Sequence, residues 1–284
     1  MRRIRTDRIG ITSVIRQLVS RSGEANTGVY AANASFFMIL SVFPLLVLVM
    51  AVLDLTSLTD SDLMEMISFV LPSALVPFAA TLVDSIPGLG GATIISLTAV
   101  LAIWSASRGV YGVLVGINAI FHCQDRRPYL VKRAICIVYT MLLVLNLLLT
   151  LGLHVFGRTL FNSLLKHLPA FSDAIGTVMV LRFVFTVIVL SLTFTAIYAV
   201  FPSRHVSLRV CFLSAFLASL GWLIFSSVFS VVVTHSKNYT TFYGSLAMVA
   251  VSMLWIYSCM TILLTGGVLA SILDPGSHER ASNS

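Results

Sequence analysis

Residues 92–121, ATIISLTAVLAIWSASRGVYGVLVGINAIF, constrain the fold more than any other stretch of the chain. The run is long and apolar enough to cross a bilayer as a helix, which takes about 20 residues. Arg108 stands in the middle of its small-residue face. Ser105, Gly109, Gly112 and Gly116 follow one another at three- and four-residue spacing and so share one side of a helix. Small residues spaced in this way let another backbone approach closely, and Gly112 with Gly116 forms a GxxxG pair. The segment therefore predicts a membrane helix carrying both a packing seam and a charge.

Composition agrees. Hydrophobic residues make up 58% of the 284-residue chain and charged residues 10%, with a mean hydropathy of +0.98. A soluble domain carries about 25% charged residues. The net charge of +7 does not point to nucleic acid, because of where it lies. Arg2, Arg3, Arg5, Arg8, Arg16 and Arg21 crowd the N-terminus, and no Lys or Arg recurs before Arg108. Basic clusters beside spans mark topology and contact with anionic headgroups, so membrane lipids are the expected partners. Cys123, Cys136, Cys211 and Cys259 have no CxxC spacing, so neither a disulfide framework nor a zinc site is expected. Residues 1–28 are mostly polar, and no cleavable signal peptide is expected.

In chain order the sequence predicts an all-α polytopic membrane protein with six transmembrane helices and both termini cytoplasmic. Residues 1–28 form a basic cytoplasmic segment, with Ile11, Ile15 and Leu18 at helical spacing. This is either an amphipathic helix on the leaflet or a positive-inside flank without fixed order. The transmembrane domain covers 29–273, with spans over Tyr30–Leu53, Ala92–Phe121, Ala134–Phe156, Ile175–Val200, Val210–Val233 and Tyr243–Leu273. Pro44 in the first span frees the carbonyl of Leu40, which a hydroxyl such as that of Ser41 can re-satisfy. It reads as a hinge or as a static kink.

Segment 55–91 is extracytoplasmic by charge: Asp60, Asp62, Glu65 and Asp84 occur there and no basic residue does. Its apolar part, Ile67–Val83, is broken by Pro72 and Pro77 and reads as amphipathic or partly re-entrant helix. A seventh crossing is the alternative, and it would put the next basic loop on the wrong side. That loop holds Arg126, Arg127, Lys132 and Arg133; a later one holds Arg204 and Arg209, and both read as cytoplasmic. Residues 274–284 form a cytoplasmic tail. Asn146 and His154 in the third span read as interhelical hydrogen-bonding residues. In the sixth span, Ser245, Ser252, Cys259 and Gly266 recur every seven residues as a second seam. The seams serve packing within one chain or between subunits, which leaves a homo-oligomer open.

Two arginines fall inside predicted spans. Arg108 lies about 24 Å along its helix from Ala92 at 1.5 Å per residue, in the inner half of a core ~30 Å thick. Arg182 is nearer the outer end of its span. Such guanidiniums either line an interior path, where they grip phosphate or carboxylate bidentately, or snorkel to the headgroups. Under the first reading Arg108, Arg182, Asn33 and Asn118 are the candidate substrate-binding residues. Pro44, Ser105, Gly109, Gly112, Gly116, Ser245, Ser252 and Gly266 serve packing or hinging. No acid lies within a span away from its ends, which weighs against a proton-coupled pump. The sequence has no Walker A, HExxH or Ser/His/Asp signature and no histidines at metal-ligand spacing. No catalytic residue, metal or cofactor is expected.

Four segments together resemble the YihY/virulence factor BrkB family of bacterial inner-membrane proteins over nearly the whole chain. They are ANASFFMILSVFPLLVLV, WSASRGVYGVLVGINAIF, LRFVFTVIVL…YAVFP with its basic loop, and NYTTFYGSLAMVAVSMLWIY. Many members carry a Gly-Ala-Glu-type motif in the last span where this chain has Gly266-Gly267-Val268, so no acidic role passes to Val268. The resemblance implies six membrane helices and no established enzymatic activity, an old ribonuclease BN label being regarded as a misassignment. It also implies association with serum resistance and envelope lipid phenotypes. The expected function is movement or flipping of an anionic lipid or lipid-like amphiphile. The alternative is a non-transporting scaffold that docks envelope proteins through its outer segment and cytoplasmic loops. A membrane ribonuclease is a third reading, with no acid–base or metal constellation to support it.

Overall fold

The computed structural model describes residues 11–53, 92–145, 174–235 and 239–274, with isolated positions 64, 76, 80 and 81. The predicted outer segment 55–91 lies outside the described residues apart from those positions. So do Asn146, His154, the outer connection 158–173 and the tail beyond 274. Among the described residues all regular structure is helical, and apart from the isolated positions it falls in seven helices. They are α1 (Ile11–Glu24), α2 (Thr27–Leu53), α3 (Ala92–Ile120), α4 (129–145), α5 (Ala174–Val200), α6 (Leu208–His235) and α7 (Tyr239–Leu273). The stretches Phe183–Val200, Leu208–Val233 and Val249–Leu273 are each long and apolar enough to cross a membrane.

Local chemistry sets the helix ends. Asn26 takes the left-handed conformation (φ 51°) that stops α1, and its carbonyl then accepts the amide of Val29 at 3.0 Å to start α2. His122, also at φ 51°, closes α3. Its amide donates to Ala119 at 3.0 Å and that of Cys123 to Asn118 at 2.9 Å, the two bonds of a Schellman end built without glycine. The fourth helix begins at 129, earlier than the predicted Ala134, directly after Pro128, whose carbonyl accepts the amide of Lys132 at 3.1 Å. Charge marked Lys132 and Arg133 as loop, but a basic run carries no helix-ending signal and here forms the first turns of α4. In α2 the Ser41 hydroxyl donates to Met38 at 2.7 Å rather than to the Leu40 carbonyl below Pro44.

Packing follows the small residues. α3 runs antiparallel to α2, bringing Gly109 to Met38, Gly112 to Asn33 and Ala34, and Gly116 to Tyr30. A Cβ on Gly109 would lie 3.1 Å from the Ala34 carbonyl oxygen, and one on Gly112 would lie 3.2 Å from the Ala34 nitrogen. The two backbones meet as the GxxxG spacing predicts, within one chain. α7 joins along the same line, with Leu264 against Gly116 and Gly267 against Ile117. The main core gathers Ala31, Ala34, Leu114, Ile117, Tyr198 and Leu264, and Val268 is fully buried within it. Outward-facing positions of α6, such as Leu213, Leu217, Ile224 and Val228, are apolar and exposed, as a lipid-facing surface requires.

Candidate functional site

The α2–α3 pair has an outer flank, and two of the polar residues chosen from the sequence, Asn33 and Arg108, fall on it. Asn33 and Phe37 stand one turn apart on α2; Gly112 and Arg108 stand one turn apart on α3. Asn33 Oδ1 lies over Gly112, at 2.9 Å from where a Cβ would sit. One turn away, Arg108 Cζ is 5.6 Å from the centroid of the Phe37 ring, within cation–π range. Arg108 and Asn33 are exposed and Phe37 is half-buried. The Arg108 guanidinium is therefore carried on the outside of the helix pair, beside the glycine seam and not within it. Apolar exposed residues extend the flank: Phe36 and Leu40 on α2, and Val100, Leu101 and Trp104 on α3.

Trp104 is one turn before Arg108 and receives a second guanidinium, that of Arg133 from α4. Arg133 Nη2 donates to the Trp104 carbonyl at 2.9 Å, and its Cζ stacks 4.2 Å from the indole. Arg133 is only 6% exposed, and its buried Nε has no hydrogen-bond partner. The same carbonyl also accepts the Ser107 hydroxyl at 2.9 Å. Sequence reasoning did not single out Arg133, because it belongs to a basic run that the charge rule assigns wholesale to a loop. Its one distinguishing sign was its place at the edge of the apolar stretch that follows.

The remaining polar residues tie helix ends together. Asn118 Nδ2 donates to Leu114 at 2.9 Å and to Phe201 at 3.0 Å, while its Oδ1 accepts the Ser203 amide and hydroxyl, each at 3.0 Å. Every polar atom of that amide is engaged inside the chain, joining α3 to the α5–α6 loop. Arg127 completes the junction, with Nε to Asp125 at 2.8 Å and Nη2 to Phe201 at 2.7 Å and Ser203 at 3.1 Å. Burial alone would raise the Asp125 pKa, but hydrogen bonds and charge from Arg127 outweigh it and hold the carboxyl below its ordinary value. Arg204 pairs with Asp274 at 2.9 Å and lies over Phe121. Of the acids whose side chains are described, Asp125 and Asp274 are paired with Arg127, Lys132 and Arg204, and Glu24 accepts the Ser20 hydroxyl. No carboxylate reaches Arg108 or Arg133 among the described residues.

Arg182 lies in α5, Pro44 in α2 and Ser245 in α7, but their side chains are outside the described residues. Ser105 and Ser252 are half-buried. Gly266 forms a notch that takes the Tyr198 hydroxyl and, 2.6 Å from where its Cβ would be, the Ala218 methyl. The structure thus brings Arg108, Asn33 and the α2–α3 glycines together and places Asn118 apart from them at the α3 end. Chemically, the flank offers cations and apolar surface, which suits an amphiphilic anion. No group of three or more His, Cys, Asp or Glu side chains able to hold a metal occurs among the described residues.

Comparison with known proteins gives a consistent picture. The family described as virulence factor BrkB matches residues 18–284. A putative ribonuclease-like protein, YfkH of Bacillus subtilis (strain 168), is 26% identical over 268 residues, covering 94% of this chain and 96% of its own. A UPF0761 membrane protein of Alteromonas mediterranea is 28% identical over 256 residues, covering 87% of this chain and 83% of its own. Another, from Idiomarina loihiensis, is 32% identical over 161 residues, 56% of this chain and 54% of its own. No solved structure matches.

Proposed function

The chain belongs to the virulence factor BrkB family, and from that premise we propose that it moves an anionic lipid or lipid-like amphiphile across a bacterial inner membrane. The observation that carries this reading is Arg108. Its guanidinium cannot give up its charge, lies on a largely apolar outer flank, and has no carboxylate partner among the described residues. A cation in lipid costs at least ~2.5–3.5 kcal/mol by insertion scales. An anionic headgroup drawn to Arg108 and Asn33 offsets that cost, while its acyl chains stay against Phe36, Leu40 and Leu101. The close-packed seam behind leaves no route between α2 and α3, so the path runs along their outer face.

In this reading the chain crosses the membrane six times with both termini cytoplasmic, which sets every basic loop on the side of the anionic leaflet. It assigns no enzymatic step, because the sequence holds no catalytic signature. The test is a proteoliposome assay with fluorescent phosphatidylglycerol, comparing wild type with Arg108→Ala. Lipid movement by wild type that falls in the variant supports the proposal; equal activity in the two overturns it. No movement by folded wild-type protein, together with capture of envelope proteins by crosslinking, favours the scaffold.

A further inference from the structure

We infer that Arg133 and Trp104 form a binding site for a phosphate group, with Arg108 one turn along α3 as its second cation. The inference deepens the lipid-movement reading and rests on it for the identity of the headgroup, but the site itself stands on its own observations. Arg133 is 6% exposed and stays charged in any protein environment. Of the five donors a guanidinium carries, one has a partner among the described residues, the Nη2 bond to Trp104. Nε is buried and unpartnered. A buried cation so placed is short of both countercharge and acceptors, a state proteins rarely maintain without a partner.

The other loop arginines show what a completed site looks like here. Arg127 meets the Asp125 carboxylate, two backbone carbonyls and the Ser203 hydroxyl. Arg204, whose Nε also lacks a partner, still has the Asp274 carboxylate. Arg133 has no carboxylate at all among the described residues. No acid among the described residues completes this site, and an anion from outside the chain would do so. Phosphate fits: its oxygens accept two parallel, charge-assisted hydrogen bonds from a guanidinium fork and supply the countercharge that the Trp104 carbonyl lacks. The indole of Trp104, 48% exposed, lies over the guanidinium and forms the cover that the incoming group displaces or slides along. Arg108 stands one turn along α3 from Trp104, about 6 Å of helix rise away, and its side chain is exposed.

The experiment reads tryptophan fluorescence of the full chain in detergent. One arm adds short-chain phosphatidylglycerol, with phosphatidylcholine as the uncharged control. A second adds sodium phosphate against sodium chloride at equal ionic strength. We expect a saturating change with phosphatidylglycerol that is absent in Trp104→Phe. Affinity should be about ten- to a hundredfold weaker in Arg133→Gln, the loss of one or two charge-assisted bonds. Arg108→Gln, at an exposed position, should weaken binding as well. A matching response to sodium phosphate assigns the site to free phosphate; a response to the lipid alone assigns it to a headgroup. No saturable response in either arm by folded wild type, or wild-type affinity in both arginine variants, overturns the site. Binding without transport in proteoliposomes would overturn the lipid-movement reading and leave the site standing.

Discussion

Tyr198 donates its phenolic hydrogen to the backbone carbonyl of Leu263 at 2.6 Å, fully buried where α5 crosses α7. It can do so only because Gly266, one turn further along α7, has no side chain. A Cβ there would collide with the Tyr198 hydroxyl and sit 2.6 Å from the Ala218 Cβ.

Gly266→Ala should therefore lower thermal stability in detergent, by about 1–3 kcal/mol from overpacking. Tyr198→Phe removes the colliding oxygen at a cost of about 1 kcal/mol for its hydrogen bond. The double variant should be more stable than the two separate losses would sum to. Additive losses would show that the notch is not formed as described.

The α2–α3 seam makes a sharper comparison. Gly112 faces Ala34 backbone atoms at 3.2 and 3.3 Å from a modest Cβ, and backbone cannot step aside as a side-chain tip can. Gly112→Leu should cost ~1–3 kcal/mol or prevent folding. Gly23, in α1, has nothing within 4 Å of the same position, and Gly23→Ala should stabilise by about 0.4–1 kcal/mol. Thermal unfolding of both variants checks the pair.

These glycines also show how far the sequence could be read. Spacing alone identified Gly109, Gly112 and Gly116 as a close-approach face, since lipid leaves shape as the main force between helices. It could not name Ala34 and Met38 as the partners, because any helix with small residues would serve. Long apolar runs located the helices to within a few residues. Arg108 was legible as an anomaly, a charge in an apolar run, whereas Arg133 was hidden by its basic neighbours. Asn118 was legible only as polar: what makes it a joint is Phe201 and Ser203, brought to it by the tertiary fold. Tyr198 carried no signal, since a tyrosine near a helix end resembles any interfacial aromatic.

The Asp125–Arg127 junction gives a pH dependence. Arg127 holds the Asp125 carboxyl below its ordinary value near 3.8, so the folded state favours its ionised form more than the unfolded chain does. The contribution is fully present above the unfolded value and is lost as pH falls through the lowered folded one. Wild-type stability should decline on that acid limb. Asp125→Asn should be less stable at neutral pH and show a flatter decline. Equal slopes in acid titrations of the two would show that the pair is not coupled to folding.

Arg108 decides between movement and scaffolding, and a graded series does so better than one variant. Its side chain is exposed and its visible contact is the face of Phe37, worth about 0.5–1 kcal/mol. Arg108→Ala should therefore shift unfolding only slightly, so any functional loss is not a loss of fold. If the guanidinium draws headgroups along the flank, transport of phosphatidylglycerol should fall at least tenfold in Arg108→Ala. Arg108→Lys should retain part of it, since the point charge survives while bidentate contact does not. Arg108→Glu should fall lowest, because it repels the anion it replaces an attraction for. The ordering Arg, Lys, Ala, Glu follows from charge and geometry at one position, measured as initial rates in proteoliposomes of fixed protein content. A scaffold would leave the four indistinguishable in any lipid assay, and a ranking by hydrophobicity instead of charge would mean that residue 108 acts on packing or insertion.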